Sequence, residues 1–239
     1  MRTNRKSLIA VAASGLLIAG LAGCAQSGDG NSTQPGAGSG ASSSSSASEA
    51  ATPSASPTPA LDNVAIGGKT TQITLDSGFV SALKSLKLTP GVVGDAKLSD
   101  AGVLTFPITG GNVTYYDPST GVRPYVQGEI DHEGSGLSLT AGGKKVELTN
   151  FVIDPGNDSH VSGDVSLNGK SVVKDANLFR LDGSTLNPVT MDNGAYVLEG
   201  TTVYVSDDAA KLLNSTFGTD AVTGQLKVGI AKLTVTAKS

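Results

Sequence analysis

Residues able to do chemistry are sparse in this chain, which holds two histidines, one cysteine and no tryptophan among its 239 residues. His132 stands in Asp131-His132-Glu133-Gly134-Ser135-Gly136, where an acid, a base and a nucleophile follow one another. The run alternates as a strand does. Neighbours in a strand point to opposite faces, so Asp131 and His132 do not converge on Ser135 from regular backbone. No Gly-x-Ser-x-Gly elbow lifts a serine onto a strained strand-to-helix turn. Glycoside hydrolysis by a carboxylate pair needs acids about 5–9.5 Å apart across a cleft. Such clefts are dressed with aromatics, and here aromatics make up only 4% of the chain. An uncharacterised envelope hydrolase is therefore the weakest reading.

Asp154, Asn157, Asp158, His160 and Asp164 invite a Ca²⁺ reading, but their spacing matches no EF-hand loop. Asp, Asn and Gly make polar turns by default, so a turn is expected and no metal is assigned. Tyr115, Tyr116 and Tyr125 lie close in sequence to His132. In one reading they simply cover a sheet face, since tyrosine favours strands. In the other, one of them and His132 face a haem or another flat apolar ligand, both residue types being axial ligands of haem iron.

Cys24 is the third candidate. Arg2, Arg5 and Lys6 precede an apolar stretch from Leu8 to Ala22, the pattern of a secretory leader too short to make a stable spanning helix. It ends in Leu21-Ala22-Gly23-Cys24, which resembles the bacterial lipobox. That resemblance implies cleavage before Cys24 and acylation of its thiol. Two or more acyl chains, at about 0.8 kcal/mol per buried methylene, make a stable anchor. The expected address is the extracytoplasmic face of the cell membrane. Residues 1–23 are then the signal peptide, and 24–62 a lipidated tether rich in Ser, Gly, Pro and Ala with nothing to bury. Ser and Thr in the tether are possible glycosylation points.

Residues 63–239 must hold whatever folds, and with no second cysteine they fold by core burial alone. The formal charge is −4 and no Arg/Lys stripe occurs, which disfavours nucleic acid. Gly128 to Pro155 alternates about a break at Ala141-Gly142-Gly143, as a hairpin does. Further strands are expected at Thr71–Leu75, Val92–Leu98, Val103–Ile108, Asn112–Tyr116, His160–Leu167, Ser171–Leu181, Ala195–Val205 and Val228–Val235. Asp76 or Ser77 caps a helix running to Leu88, and Ser206 caps a second one stopped by Gly218. The fold class expected is mainly β: an antiparallel sandwich, or a barrel-like alternative, with two short helices.

Five stretches, LDSGFVSALKSLKL, LTFPITGG, GEIDHEGSGLSLTAGGKKVELTNFVID, LFRLD and LEGTTVYVSDDAAKLLNSTFG, occur in that order between Leu75 and Gly218. Together they resemble the HtaA-type domain of exported actinobacterial haem-uptake proteins. The resemblance implies a two-sheet β fold that binds haem through an axial tyrosine assisted by a histidine, here matched by His132. The chain departs from the family at its first stretch. Where haem-binding members carry a Trp-Gly segment ending in a Phe and the ligand Tyr, this chain has Leu75-Asp76-Ser77-Gly78-Phe79, then Ala82, Leu83 and Leu86. Leucine cannot coordinate iron, so the resemblance supports the architecture more than the ligand. The reading adopted is a lipid-anchored, non-enzymatic binding or structural module with no assigned cofactor. Haem or porphyrin capture is its alternative. Expected partners are the membrane, with haem or cell-wall components beyond it.

Overall fold

The computed structural model describes residues 56–237. The leader, Cys24 and the tether up to residue 55 lie outside them. The elements are β1 (Leu61–Leu75), α1 (Ser77–Ser85), β2 (Thr89–Gly94), β3 (Lys97–Leu98), β4 (Val103–Ile108), β5 (Gly110–Tyr115), β6 (Val126–Ala141), β7 (Lys144–Asp154), β8 (His160–Leu167), β9 (Lys170–Asp182), β10 (Thr190–Asp192), β11 (Ala195–Val205), α2 (Asp207–Phe217) and β12 (Lys227–Ala237). The fold is mainly β and antiparallel with two helices. Leu61 is buried and pairs with Tyr115, so the folded part starts two residues before the expected boundary at 63.

The twelve strands form one sheet. Its pairings run β1–β12–β11–β9–β8–β7–β6–β5 and back to β1, a hydrogen-bonded circuit around a shared core. This is the barrel-like form of the expected architecture, though not a regular barrel. The C-terminal half of β1 leaves β5 for β4, and that of β6 leaves β5 for β2. The departure opens one end of the circuit, and α1 and α2 line the cleft there.

Burial alternates along β4 and β8, as a strand with one wet face requires. In β6 the buried set changes phase: Val126, Ile130 and His132 are buried on even positions, Leu139 on an odd one. Between them the register with β7 slips, where Gly134 takes φ +71°. One extra residue moves every later side chain to the other face. β7 makes the compensating slip at Asn150, φ +54°, passing from Val146 and Leu148 to Phe151 and Ile153. The two irregular sites are tied together, Gly134 N–H donating to Asn150 Oδ1 at 2.9 Å. Asn150 in turn donates to Asp164 at 3.1 Å, and this amide is the main reason the Asp164 carboxyl titrates below its usual range. Asp164, a candidate Ca²⁺ ligand by sequence, thus fastens a row of bulges. Asp154 accepts from Gly156 N–H at 2.7 Å, the polar turn expected there.

Asp76 caps α1 by accepting from Gly78 N–H, and Ser206 caps α2 by accepting from Ala209 N–H. α1 stops at Ser85, short of the expected Leu88. Lys87 adopts φ +53° and Leu88 N–H returns to the Leu83 carbonyl, which releases Thr89–Gly94 to pair with β6. Pro90 is tolerated because β2 pairs through one side only.

Candidate functional site

His132 is 2% exposed, on the inward face of β6. Its Nδ1 lies 3.3 Å from the Phe151 carbonyl and its Nε2 2.8 Å from the Thr71 hydroxyl. A carbonyl only accepts, so Nδ1 carries the proton and Nε2 accepts from Thr71. Burial pushes the imidazole pKa down to about 4. Phe106 meets the ring edge-on at 6.4 Å. Both nitrogens are spent, the ring is neutral at ordinary pH, and no tyrosine is among its partners. This is a satisfied core histidine.

The tyrosines part company. Tyr115 is buried at the end of β5 and meets Tyr125 edge-to-face at 6.5 Å. Tyr116 is half-buried and is held through its backbone, its N–H donating to the Tyr125 carbonyl. Tyr125 alone of the three borders open space. Its hydroxyl donates to the Gly183 carbonyl. Burial raises its pKa, with the Arg123 guanidinium opposing, so the phenol stays protonated.

That open space is a cavity of about 550 Å³ at one end of the circuit. Ile130, Ile153, Leu198 and Leu233 give it apolar walls, while Asn157, Ser159, Ser184 and Thr201 supply scattered polar atoms. Its size and lining are those of small-molecule sites, which run from about 300 to 1,000 Å³. Among the described residues, Arg123 is the only charged one on its wall. The guanidinium donates to the Val122 carbonyl at 2.7 Å and lies 5.4 Å from the centre of the Tyr125 ring. The sequence reading passed over Arg123. The available signal was that it is the only Arg or Lys between Lys97 and Lys144.

The opposite end is built otherwise. Phe79, Ala82, Leu83 and Leu86 face Ala209 and Leu213 across a cleft of only about 50 Å³, whose every lining residue is apolar. A further small space, bordered by His132, Phe106 and Phe151, lies between the two ends. It shares Leu104, Leu137, Phe179 and Val228 with the cleft and Ile153 with the large cavity.

Solved structures give the architecture a precedent. The C-terminal domain of HtaA from Corynebacterium glutamicum superimposes with a TM-score of 0.51 at 14% identity, covering 73% of this chain and 99% of that domain. The domain has the HtaA fold. The heme-binding protein HtaB from the same organism aligns with a TM-score of 0.44 at 11% identity, over 74% of this chain and 96% of its own. No family model and no curated protein sequence matches the chain.

The stretch that departs from the HtaA pattern can now be placed. Leu75, Phe79, Ala82, Leu83 and Leu86 all line the helix cleft. No oxygen, nitrogen or sulfur of a side chain lines it, so these residues do not fit an iron ion.

Proposed function

We propose that the folded domain is a non-catalytic binding module for a small, mainly apolar molecule, held in the cavity beside Tyr125. In the same proposal the acylated Cys24 tethers it to the outer face of the cell membrane. The observation that carries the reading is the cavity itself: about 550 Å³ with mainly apolar walls, whereas the other spaces of similar size, about 360 and 440 Å³, are bordered by charged side chains. The non-catalytic part is supported by the ionisable groups. Of the cavity wall only Arg123 and Tyr125 can titrate, and His132 is locked in the core as a neutral ring. Acid–base chemistry wants a pair of groups tuned toward the working pH, and no pair converges here.

The test uses the mature polypeptide without its acylated cysteine, Ala25–Ser239, and a fluorescent apolar probe. Leu186→Trp, which fills the cavity from its half-buried wall position, is expected to abolish probe binding. Binding unchanged by that substitution would remove the reading. For the anchor, Cys24→Ala should move the protein out of the fraction that takes up labelled palmitate.

Haem capture is the second reading, favoured by Tyr125, the one expected tyrosine on the cavity wall. The apolar walls suit a macrocycle and Arg123 suits a propionate. The iron is served poorly, because the Tyr125 hydroxyl already donates to Gly183 and its burial favours the phenol. Protoporphyrin with and without iron should therefore bind alike. A Soret shift present only with iron and lost in Tyr125→Phe would make haem the ligand.

A further inference from the structure

The cavity's single charge and the small apolar space behind its wall residue Ile153 together narrow the ligand class. We infer that the cavity takes an extended apolar molecule ending in one carboxylate, with the acid on Arg123 and the chain directed past Ile153 toward the core. This rests on the binding reading above.

The head-group end follows from charge. Arg123 is exposed at the cavity margin and is the only charged residue of its lining, in a chain whose formal net charge is −4. Its bond to the Val122 carbonyl is at 2.7 Å and that to Pro118 at 3.5 Å is long, and both use Nη1. Guanidinium carries five N–H donors in a planar fork that matches a carboxylate. The remaining donors are available for an anion. Among the described residues, no carboxylate lies within salt-bridge distance of the guanidinium.

The tail end follows from adjacency, with Ile153 as the wall residue between two apolar spaces. Ile153 belongs both to the large cavity and to the small space under Phe106 and Phe151. That second space is bordered by apolar side chains except Thr71 and His132, whose polar atoms are satisfied by each other and by Phe151. A hydrocarbon chain entering it meets no unpaired polar group. A compact ligand would fill the outer cavity alone, while a chain gains buried methylenes by reaching past Ile153.

The experiment measures binding of hexadecanoate, hexadecanol, octanoate and iron-free protoporphyrin to the mature polypeptide, with Arg123→Gln and Ile153→Phe as variants. Hexadecanoate is expected to bind at least about tenfold tighter than hexadecanol, and Arg123→Gln to erase that difference. Ile153→Phe should weaken hexadecanoate several-fold more than it weakens octanoate, which does not reach beyond the outer cavity. Equal binding of acid and alcohol, unaltered by Arg123→Gln, overturns the inference while leaving the binding module standing. Protoporphyrin binding that depends on Arg123, with hexadecanoate failing to bind, also overturns it in favour of a compact acid. Failure of all four ligands, with the apolar probe excluded too, removes the underlying reading as well.

Discussion

At the helix end of the sheet, α1 and α2 close over a gap of about 50 Å³ with leucine, alanine and phenylalanine alone, whereas at the Tyr125 end about 550 Å³ stays open behind Arg123. Strands β6, β7, β9, β11 and β12 supply both ends. What differs is the covering. Amphipathic helices bring a row of apolar side chains down onto the splayed halves of β1 and β6. The other end is bordered by turns, Pro118 and Arg123–Tyr125 on one side and Pro155–Ser159 on another, whose backbone polar groups prefer water to a dry core. One end therefore stabilises the fold, and the other is free to hold something.

The sharpest way to break this contrast is to cut the same side chain at both ends. Leu213 is buried on α2, and its replacement by Ala leaves a void in packed surroundings, costing about 2–5 kcal/mol. Leu186 already borders open space and is half-buried, so Leu186→Ala should cost about 1 kcal/mol. Urea denaturation of both variants checks the ratio. Equal losses would mean that the large cavity is closed in solution and the two ends are alike.

His132 lies between the ends and reports on the dryness of the small space there. Its folded pKa of about 4 is below the ordinary value of 6.5, so between these values the unfolded chain binds more protons than the folded one. Stability must then fall as pH drops through that window, by about 3 kcal/mol in all, and be unaffected by this group above it. His132→Gln keeps a donor and an acceptor but cannot titrate, so its stability should fall less than the parent's over the same window. Parallel profiles for parent and variant would show that water reaches the ring.

How much of this was legible follows from where each signal is stored. The caps Asp76 and Ser206, the stop at Gly218 and the alternation of β4 and β8 are local, and residues a few positions apart encode them completely. β10 is three exposed residues, too short to carry a period. The phase change in β6 was harder to see. Gly134 tolerates positive φ, but only its pairing with Asn150 across the hairpin makes the slip a bulge. His132 shares the parity of Val126 and Ile130, which is the trace of a core residue. Its neighbours Asp131 and Ser135 suggested chemistry instead. The large cavity had no local trace at all, because its walls come from turns near 118–126, 153–159 and 181–186 and from β11 and β12. Arg123 becomes meaningful only when those segments meet.

A smaller test concerns how the helix end is held. Ser206 is buried, accepts from Ala209 N–H at 2.9 Å and donates to the Asn177 carbonyl at 2.6 Å, so it both starts α2 and ties it to β9. Ser206→Ala should cost about 1–2 kcal/mol, toward the upper end for a cap because a β9 carbonyl loses its donor too. Ser206→Thr, which keeps both bonds, should recover most of it. A cost below about 0.5 kcal/mol would mean that apolar packing alone seats the helix.

The smallest expected effect belongs to the open end. Arg123 is exposed, contacts the Tyr125 ring at 5.4 Å and otherwise bonds its own turn, interactions worth about 0.5 kcal/mol in water. Arg123→Gln should therefore leave denaturant stability within about 0.5 kcal/mol of the parent. The same substitution is the one expected to remove the preference for an acid over an alcohol. A residue whose loss changes what is bound but not whether the chain folds is a binding residue. If Arg123→Gln instead unfolds the protein as readily as Leu213→Ala, its end of the sheet is structural after all.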